Sequence, residues 1–145
     1  RIGVRGSSQG GALTLLAAAM RPQIAAASAG APYLAGVIDA IQLTNSQPYQ
    51  EINDYLHLYP EAKAAVAETW SYYDCINFGD KIKCPILVNI GLNDDVCPPE
   101  TGYAMFNALG STEKKLYAYP GHGHDANGYT HEAIVEAFFR EKLKP

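Results

Sequence analysis

The apolar run PILVNIG at 85–91 constrains the fold of this chain more than any other stretch. A strand with one wet face alternates apolar and polar residues. A nearly continuous apolar run has no wet face, and it reads as a central strand of a parallel sheet covered by helices on both sides. The flanking sequence suits that reading. IGV (2–4) is a short β-branched run, and Gln9–Met20 is an Ala/Leu-rich, helix-favouring stretch stopped by Arg21-Pro22. IAAASAGAPY (24–33) predicts a small-residue strand buried on both faces, and 34–44 a helix closed by the polar stretch TNSQP. Residues 49–57 and 61–73 have helical periodicity on either side of Pro60, with Glu61 placed where an acid suits a helix N-terminus. Pro98-Pro99-Glu100 opens a helix running to about Leu109. KKLYAYP (114–120) is a further strand and GHGHDANG (121–128) a loop. Residues 129–143 form an amphipathic helix with Ile134, Val135, Phe138, Phe139 and Leu143 on one side. Alternating strands and helices predict an α/β domain with a mostly parallel sheet. At 145 residues, without repeats or a low-complexity linker, the chain predicts one domain, 1–145.

Charge and composition exclude several roles. The net charge of −4 and the absence of basic clusters argue against nucleic acid. Lys81/Lys83 and Lys114/Lys115 read as solvated edges of apolar strands. No apolar run approaches a membrane span; LTLLAAAM (13–20) is the longest. Cys75, Cys84 and Cys97 are odd in number and contain no C-x-x-C pair, so they read as small buried hydrophobes in a reducing, cytoplasmic compartment.

The chemistry concentrates in three stretches. Gly6-Ser7-Ser8-Gln9-Gly10 fits G-x-S-x-G between a strand and a helix. In that setting the serine occupies a strained turn, and glycines two before and two after keep Cβ atoms out of the bend. The hydroxyl is then held beside free N–H groups at a helix N-terminus. The backbone N–H of Gln9, next to the serine, is expected to supply one of two oxyanion donors. A serine needs a base, and the base needs an orienting acid. Asp94 and Asp95 follow the strongest strand; His122 and His124 follow KKLYAYP. Both pairs fall in loops at strand carboxyl ends, where α/β sheets gather their sites. His57 reads as a satisfied or surface helical histidine, and His131 as a solvated residue at the start of the last helix. HGHD (122–125) also invites a metal reading, with oxygen ligands from residues 94 and 95. Its ligand count and spacing fail, with Asn127 where a third histidine would stand, so no metal is expected.

These residues resemble the C-terminal half of the acetyl xylan esterase / cephalosporin C deacetylase family, the carbohydrate esterase family 7 type of α/β-hydrolase. RIGVRGSSQGG (1–11) is similar to the family's nucleophile strand and elbow, and SQPYQEINDY (46–55) to a following segment. SYYDCINFGDKIKCPILVNIGLNDDVCPP (71–99) is similar to the run into its catalytic aspartate. The resemblance implies Ser8 as nucleophile, Asp94 as the acid and Asp95 as a loop charge or helix cap. It implies His124, followed by an acid, in preference to His122 as the base. It also implies a fold lacking the family's N-terminal strands and the Arg-Gly-Gln stretch near its oxyanion hole. On that view the chain is a fragment whose first strand has an unpaired, apolar edge. The implied activity is cofactor-free deacetylation of xylo-oligosaccharides and small acetyl esters such as cephalosporin C, in a homo-oligomeric enzyme. A related hydrolase such as a dipeptidyl-type peptidase, or a non-catalytic remnant, would share these features. Tyr33, Trp70, Tyr72 and Tyr73 are candidates for pocket walls, with a core role expected for each.

Overall fold

The computed structural model describes residues 1–144. Four strands, β1 (Ile2–Ser7), β2 (Ile24–Gly30), β3 (Ile86–Gly91) and β4 (Lys114–Tyr119), pair in that order. All three pairings are parallel, as the strand–helix alternation predicts. The helices are α1 (Gln9–Met20), α2 (Val37–Leu43), α3 (Tyr49–Leu58), α4 (Lys63–Ser71), α5 (Pro99–Ala108) and α6 (Gly128–Lys142).

The two faces of the sheet follow from the period of two along each strand. Val4, Ala27, Ala29, Ile86, Val88, Ile90, Leu116 and Ala118 point to one side. They pack there with Leu15 and Ala18 of α1 and with Met105 and Leu109 of the α5 region. Arg5, Ser7, Ser28 and Asn89 point to the other side, toward His131, Glu132 and Val135 of α6. Every residue of β3 is buried, which is why its sequence is apolar at every position but Asn89. A second apolar cluster joins α2 and α3 through Val37, Ala40, Ile41, Tyr49 and Ile52.

Several elements differ from the sequence expectation for identifiable reasons. β1 runs to Ser7, three residues further than its β-branched start, because Arg5, Gly6 and Ser7 are held by pairing with Ser28, Ala29 and Gly30. β2 ends at Gly30, and Ala31, Leu34 and Gly36 all have positive φ, so the following helix starts only at Val37. The predicted 61–73 helix begins as a 3-10 turn at Pro60–Ala62 and ends at Ser71. A 3-10 segment, Cys75–Lys81, was not visible in the sequence. It is tied by Asp74, whose carboxylate accepts from the N–H groups of Ile76, Gly36 and Val37 and so caps two elements at once.

Expectations for four residues are corrected. His131 is not solvated: it is 2% exposed, and its Nδ1 is hydrogen-bonded to the Tyr119 hydroxyl at 2.8 Å. Lys114 is not a free surface charge: its Nζ donates to the carbonyls of Phe106 and Leu109 at the end of α5, where a cation suits the helix dipole. Tyr72 and Tyr73 are exposed rather than core residues, whereas Tyr33 and Trp70 are half-buried beside a cavity of about 220 Å³. Among the described residues, all three cysteines are free, with Cys75 and Cys97 buried and Cys84 half-buried. No described helix is long and apolar enough to cross a membrane.

Candidate active site

A parallel sheet brings all its strand carboxyl ends to one edge, and the candidate residues collect there. Ser8 follows β1 directly, Asp94 lies three residues past β3, and His124 lies five past β4.

Ser8 has φ 56° and ψ −121°, a conformation that costs a non-glycine residue about 1–3 kcal/mol. Three backbone hydrogen bonds hold it. The Ser8 N–H donates to the Gly30 carbonyl, and the Ser8 carbonyl accepts from the N–H groups of Tyr33 and Ala12. The Ser8 hydroxyl makes no cap bond to α1, so it remains available to other partners. Gln9 is the first residue of α1, where the backbone N–H has no intrahelical acceptor.

The two motif glycines have different functions. A Cβ at Gly6 would lie 2.3 Å from the Gly10 carbonyl oxygen, a backbone atom that cannot step aside. A Cβ at Gly10 would meet nothing within 4 Å, which corrects the symmetrical reading of the motif. Gly11 is the position where α1 approaches the sheet, since a Cβ there would sit 2.7 Å from the Gly30 carbonyl oxygen. Gly6→Ala and Gly10→Ala should therefore have opposite effects on chemical denaturation. The first should destabilise by about 1–3 kcal/mol through overpacking. The second should stabilise by up to about 1 kcal/mol through helix propensity.

Asp94 is almost wholly buried, with its side chain 1% exposed. Its Oδ1 accepts from the N–H groups of Val96 (2.9 Å) and Cys97 (2.8 Å), which fixes the carboxylate orientation. His124 Nδ1 lies 3.0 Å from Asp94 Oδ2 and 3.2 Å from Asp94 Oδ1. On the opposite side of that ring, His124 Nε2 lies 2.9 Å from Ser8 Oγ. The structure thus brings Ser8, His124 and Asp94 into one hydrogen-bonded chain. Such a chain can move the serine proton onto Nε2 while the carboxylate holds the Nδ1–H tautomer.

His122 does not join this chain. Its Nδ1 is paired with Asp125 Oδ2 at 2.8 Å, and this contact holds the exposed Asp125 carboxyl below its ordinary range. The two histidines of HGHD are therefore committed to different carboxylates and do not converge as a metal pair. Asp95 stands apart as well; its carbonyl accepts from the Thr44 hydroxyl.

The loop carrying His124 is clamped from below. The Asn93 N–H donates to the His122 carbonyl, and Asn93 Oδ1 accepts from the Gly121 N–H. Asn89, the polar residue inside the apolar strand β3, donates from Nδ2 to the Ala126 carbonyl at 2.9 Å. Ala126 and Asn127 both have positive φ, so this buried strut holds the strained turn that follows His124. Sequence reading missed Asn89, and a lone amide in an otherwise apolar run was the available signal. Next to Asp94, the buried Cys97 thiol is pushed up to about 12 by burial first and by the aspartate second.

Comparison with known proteins places this arrangement. The sequence model for acetyl xylan esterase (AXE1) matches residues 1–142. The chain is 35% identical over 116 residues to acetyl esterase Axe7A of Xylanibacter ruminicola, covering 78% of this chain and 25% of that protein. Among solved structures it is similar to an acetyl xylan esterase from Paenibacillus sp. R4, with TM-score 0.90 and 34% identity over 98% of this chain and 45% of that one. It is also similar to acetyl xylan esterase 1 from Thermoanaerobacterium sp., with TM-score 0.85 and 36% identity over 93% of this chain and 44% of that one. The chain thus spans a quarter to under half of the length of these relatives. An acylaminoacyl peptidase of Pyrococcus horikoshii, 18% identical with TM-score 0.75, shares the fold. The parallel sheet and its flanking helices are those of an α/β-hydrolase, and the chain belongs to the acetyl xylan esterase (AXE1) family.

Proposed function

We propose that this chain carries the catalytic residues of a serine esterase that removes acetyl groups from acetylated xylo-oligosaccharides and related small acetyl esters, cephalosporin C among them. The observation that carries the reading is the hydrogen-bond chain from Ser8 Oγ through His124 to Asp94. In this mechanism Ser8 Oγ attacks the acetyl carbonyl while His124 Nε2 takes the serine proton. The Gln9 N–H stabilises the oxyanion. His124 then protonates the departing alcohol, leaving an acetyl-Ser8 ester. Water, deprotonated by the same imidazole, releases acetate and restores the hydroxyl. Asp94 keeps Nδ1 protonated throughout and stabilises the imidazolium. The names of the relatives, an acetyl esterase and acetyl xylan esterases, support acetyl xylan as the substrate class, and cephalosporin C rests on the sequence resemblance alone. A homo-oligomeric whole enzyme working in a reducing compartment belongs to the same proposal.

Release of p-nitrophenol from p-nitrophenyl acetate tests it. Ser8→Ala keeps the Cβ and the backbone demands of the turn, so it should fold and lose at least about 10⁴-fold in rate. A fluorophosphonate probe should label the parent chain and spare the variant. Equal turnover or equal labelling of the two would remove Ser8 from the reaction.

A further inference from the structure

We propose that Asp94, Cys97 and His124 form a binding site for a soft divalent cation such as Zn²⁺, and that occupancy switches the hydrolytic centre off. The ligand atoms of the three side chains all lie within 4.8 Å of one another. They differ in type, offering a carboxylate oxygen, an imidazole nitrogen and a sulfur, and a sulfur-containing donor set selects zinc-like ions over magnesium or calcium. Two of them come from a single short loop, Asp94-Asp95-Val96-Cys97, which acts as a built chelate. The Val96 and Cys97 N–H groups already orient Asp94 through Oδ1, and Oδ2 faces His124 Nδ1 at 3.0 Å, so an ion bound there takes the place of the proton between them. Tetrahedral zinc bonds imply sulfur-to-nitrogen spacings of about 3.5 Å. Asp94 and Cys97 are 6% and 5% exposed, while the His124 side chain is 32% exposed and forms the entry side.

The consequence for the reaction is a change of tautomer. A cation on Nδ1 takes the place of the proton shared with Asp94. The imidazole proton then resides on Nε2, and the thiol proton leaves to solvent as the sulfur–metal bond forms. With Nε2 protonated, no lone pair faces Ser8 Oγ, and the hydroxyl cannot be deprotonated. This inhibitory outcome rests on the esterase reading given above; the metal site itself does not.

Cobalt(II) reports the site independently of turnover. Titrating it into the parent chain and into Ser8→Ala should produce, in both, a sulfur-to-cobalt charge-transfer band at a stoichiometry of one. Cys97→Ser should lose the band, and Cys84→Ser should keep it. His124→Asn, altered on a half-exposed loop and expected to fold, should weaken binding beyond the roughly 10- to 100-fold that loss of an outer-shell partner costs. In the ester assay, Zn²⁺ should inhibit the parent chain, with reversal by a chelator, and the ratio of rates with and without Zn²⁺ should move toward one in Cys97→Ser. Absence of the band, its survival in Cys97→Ser, or undiminished affinity in His124→Asn would overturn the site. A band with the predicted ligand dependence in a chain that hydrolyses no ester would keep the site and sink the esterase reading instead.

Discussion

Asp94→Asn should give a folded protein whose kcat on p-nitrophenyl acetate is lower by about 10⁴-fold, with KM changed little. The size of the effect follows from the fixed geometry around the carboxylate. Oδ1 accepts two backbone N–H groups, from Val96 and Cys97, and an asparagine can keep both bonds only by placing its carbonyl oxygen there. Its amide NH₂ must then occupy the Oδ2 position, 3.0 Å from His124 Nδ1. Two donors cannot share that contact, and Nδ1–H would keep only the longer 3.2 Å approach to Oδ1, already taken by two N–H groups, so the tautomer with Nδ1 as acceptor and the proton on Nε2 is favoured. The ring then presents N–H to Ser8 Oγ, and the base is lost while packing is preserved. Far-UV circular dichroism and the denaturation midpoint should stay near those of the parent chain. Retention of most of the activity by this folded variant would mean that His124 does not depend on Asp94 for its tautomer.

Much of this arrangement was legible in the sequence because the constraint was local. β3 could be read from its apolar run, since a strand buried on both faces tolerates little else. The order Ser8, Asp94, His124 could be read because the loops that hold them follow strands of recognisable pattern. Features set by tertiary contact were not legible in the same way. β1 looks three residues too short when read alone, since Arg5-Gly6-Ser7 has little strand character and is held by its pairing with β2. His122 and His124 cannot be separated by spacing. What separates them is that Asp125 engages the first while Asp94 reaches the second. His131 was misread, although the periodicity contained the answer: it sits three and four residues before Ile134 and Val135, in phase with the buried stripe of α6. Gly10 was credited with relieving a crowded bend on the strength of the motif's symmetry, whereas the crowding occurs at Gly6 and Gly11.

Gly91→Ala should be the most damaging single-methyl change outside Ser8, Asp94 and His124, costing about 3 kcal/mol or more in stability. Its Cβ would fall 2.0 Å from the Gly123 carbonyl oxygen and 2.4 Å from that of His122. Both are backbone atoms of the loop that carries His124, so no rotamer change can relieve the contact. The loop cannot simply lift away. The Asn93 N–H and the Asn93 side chain pin it at His122 and Gly121, and Asn89 pins it again at Ala126. The strain must therefore be taken by the end of β3, by the loop, or by both, and either movement separates His124 from Asp94 or from Ser8. The expected result is a lowered denaturation midpoint together with a large fall in kcat for ester hydrolysis. A control variant at Gly121, where a Cβ would meet nothing within 4 Å but φ is +78°, should lose about 1 kcal/mol through backbone strain and keep most of the activity. If Gly91→Ala instead matched the Gly121→Ala control in both measurements, the close crossing of the histidine loop over β3 would not be what positions the base.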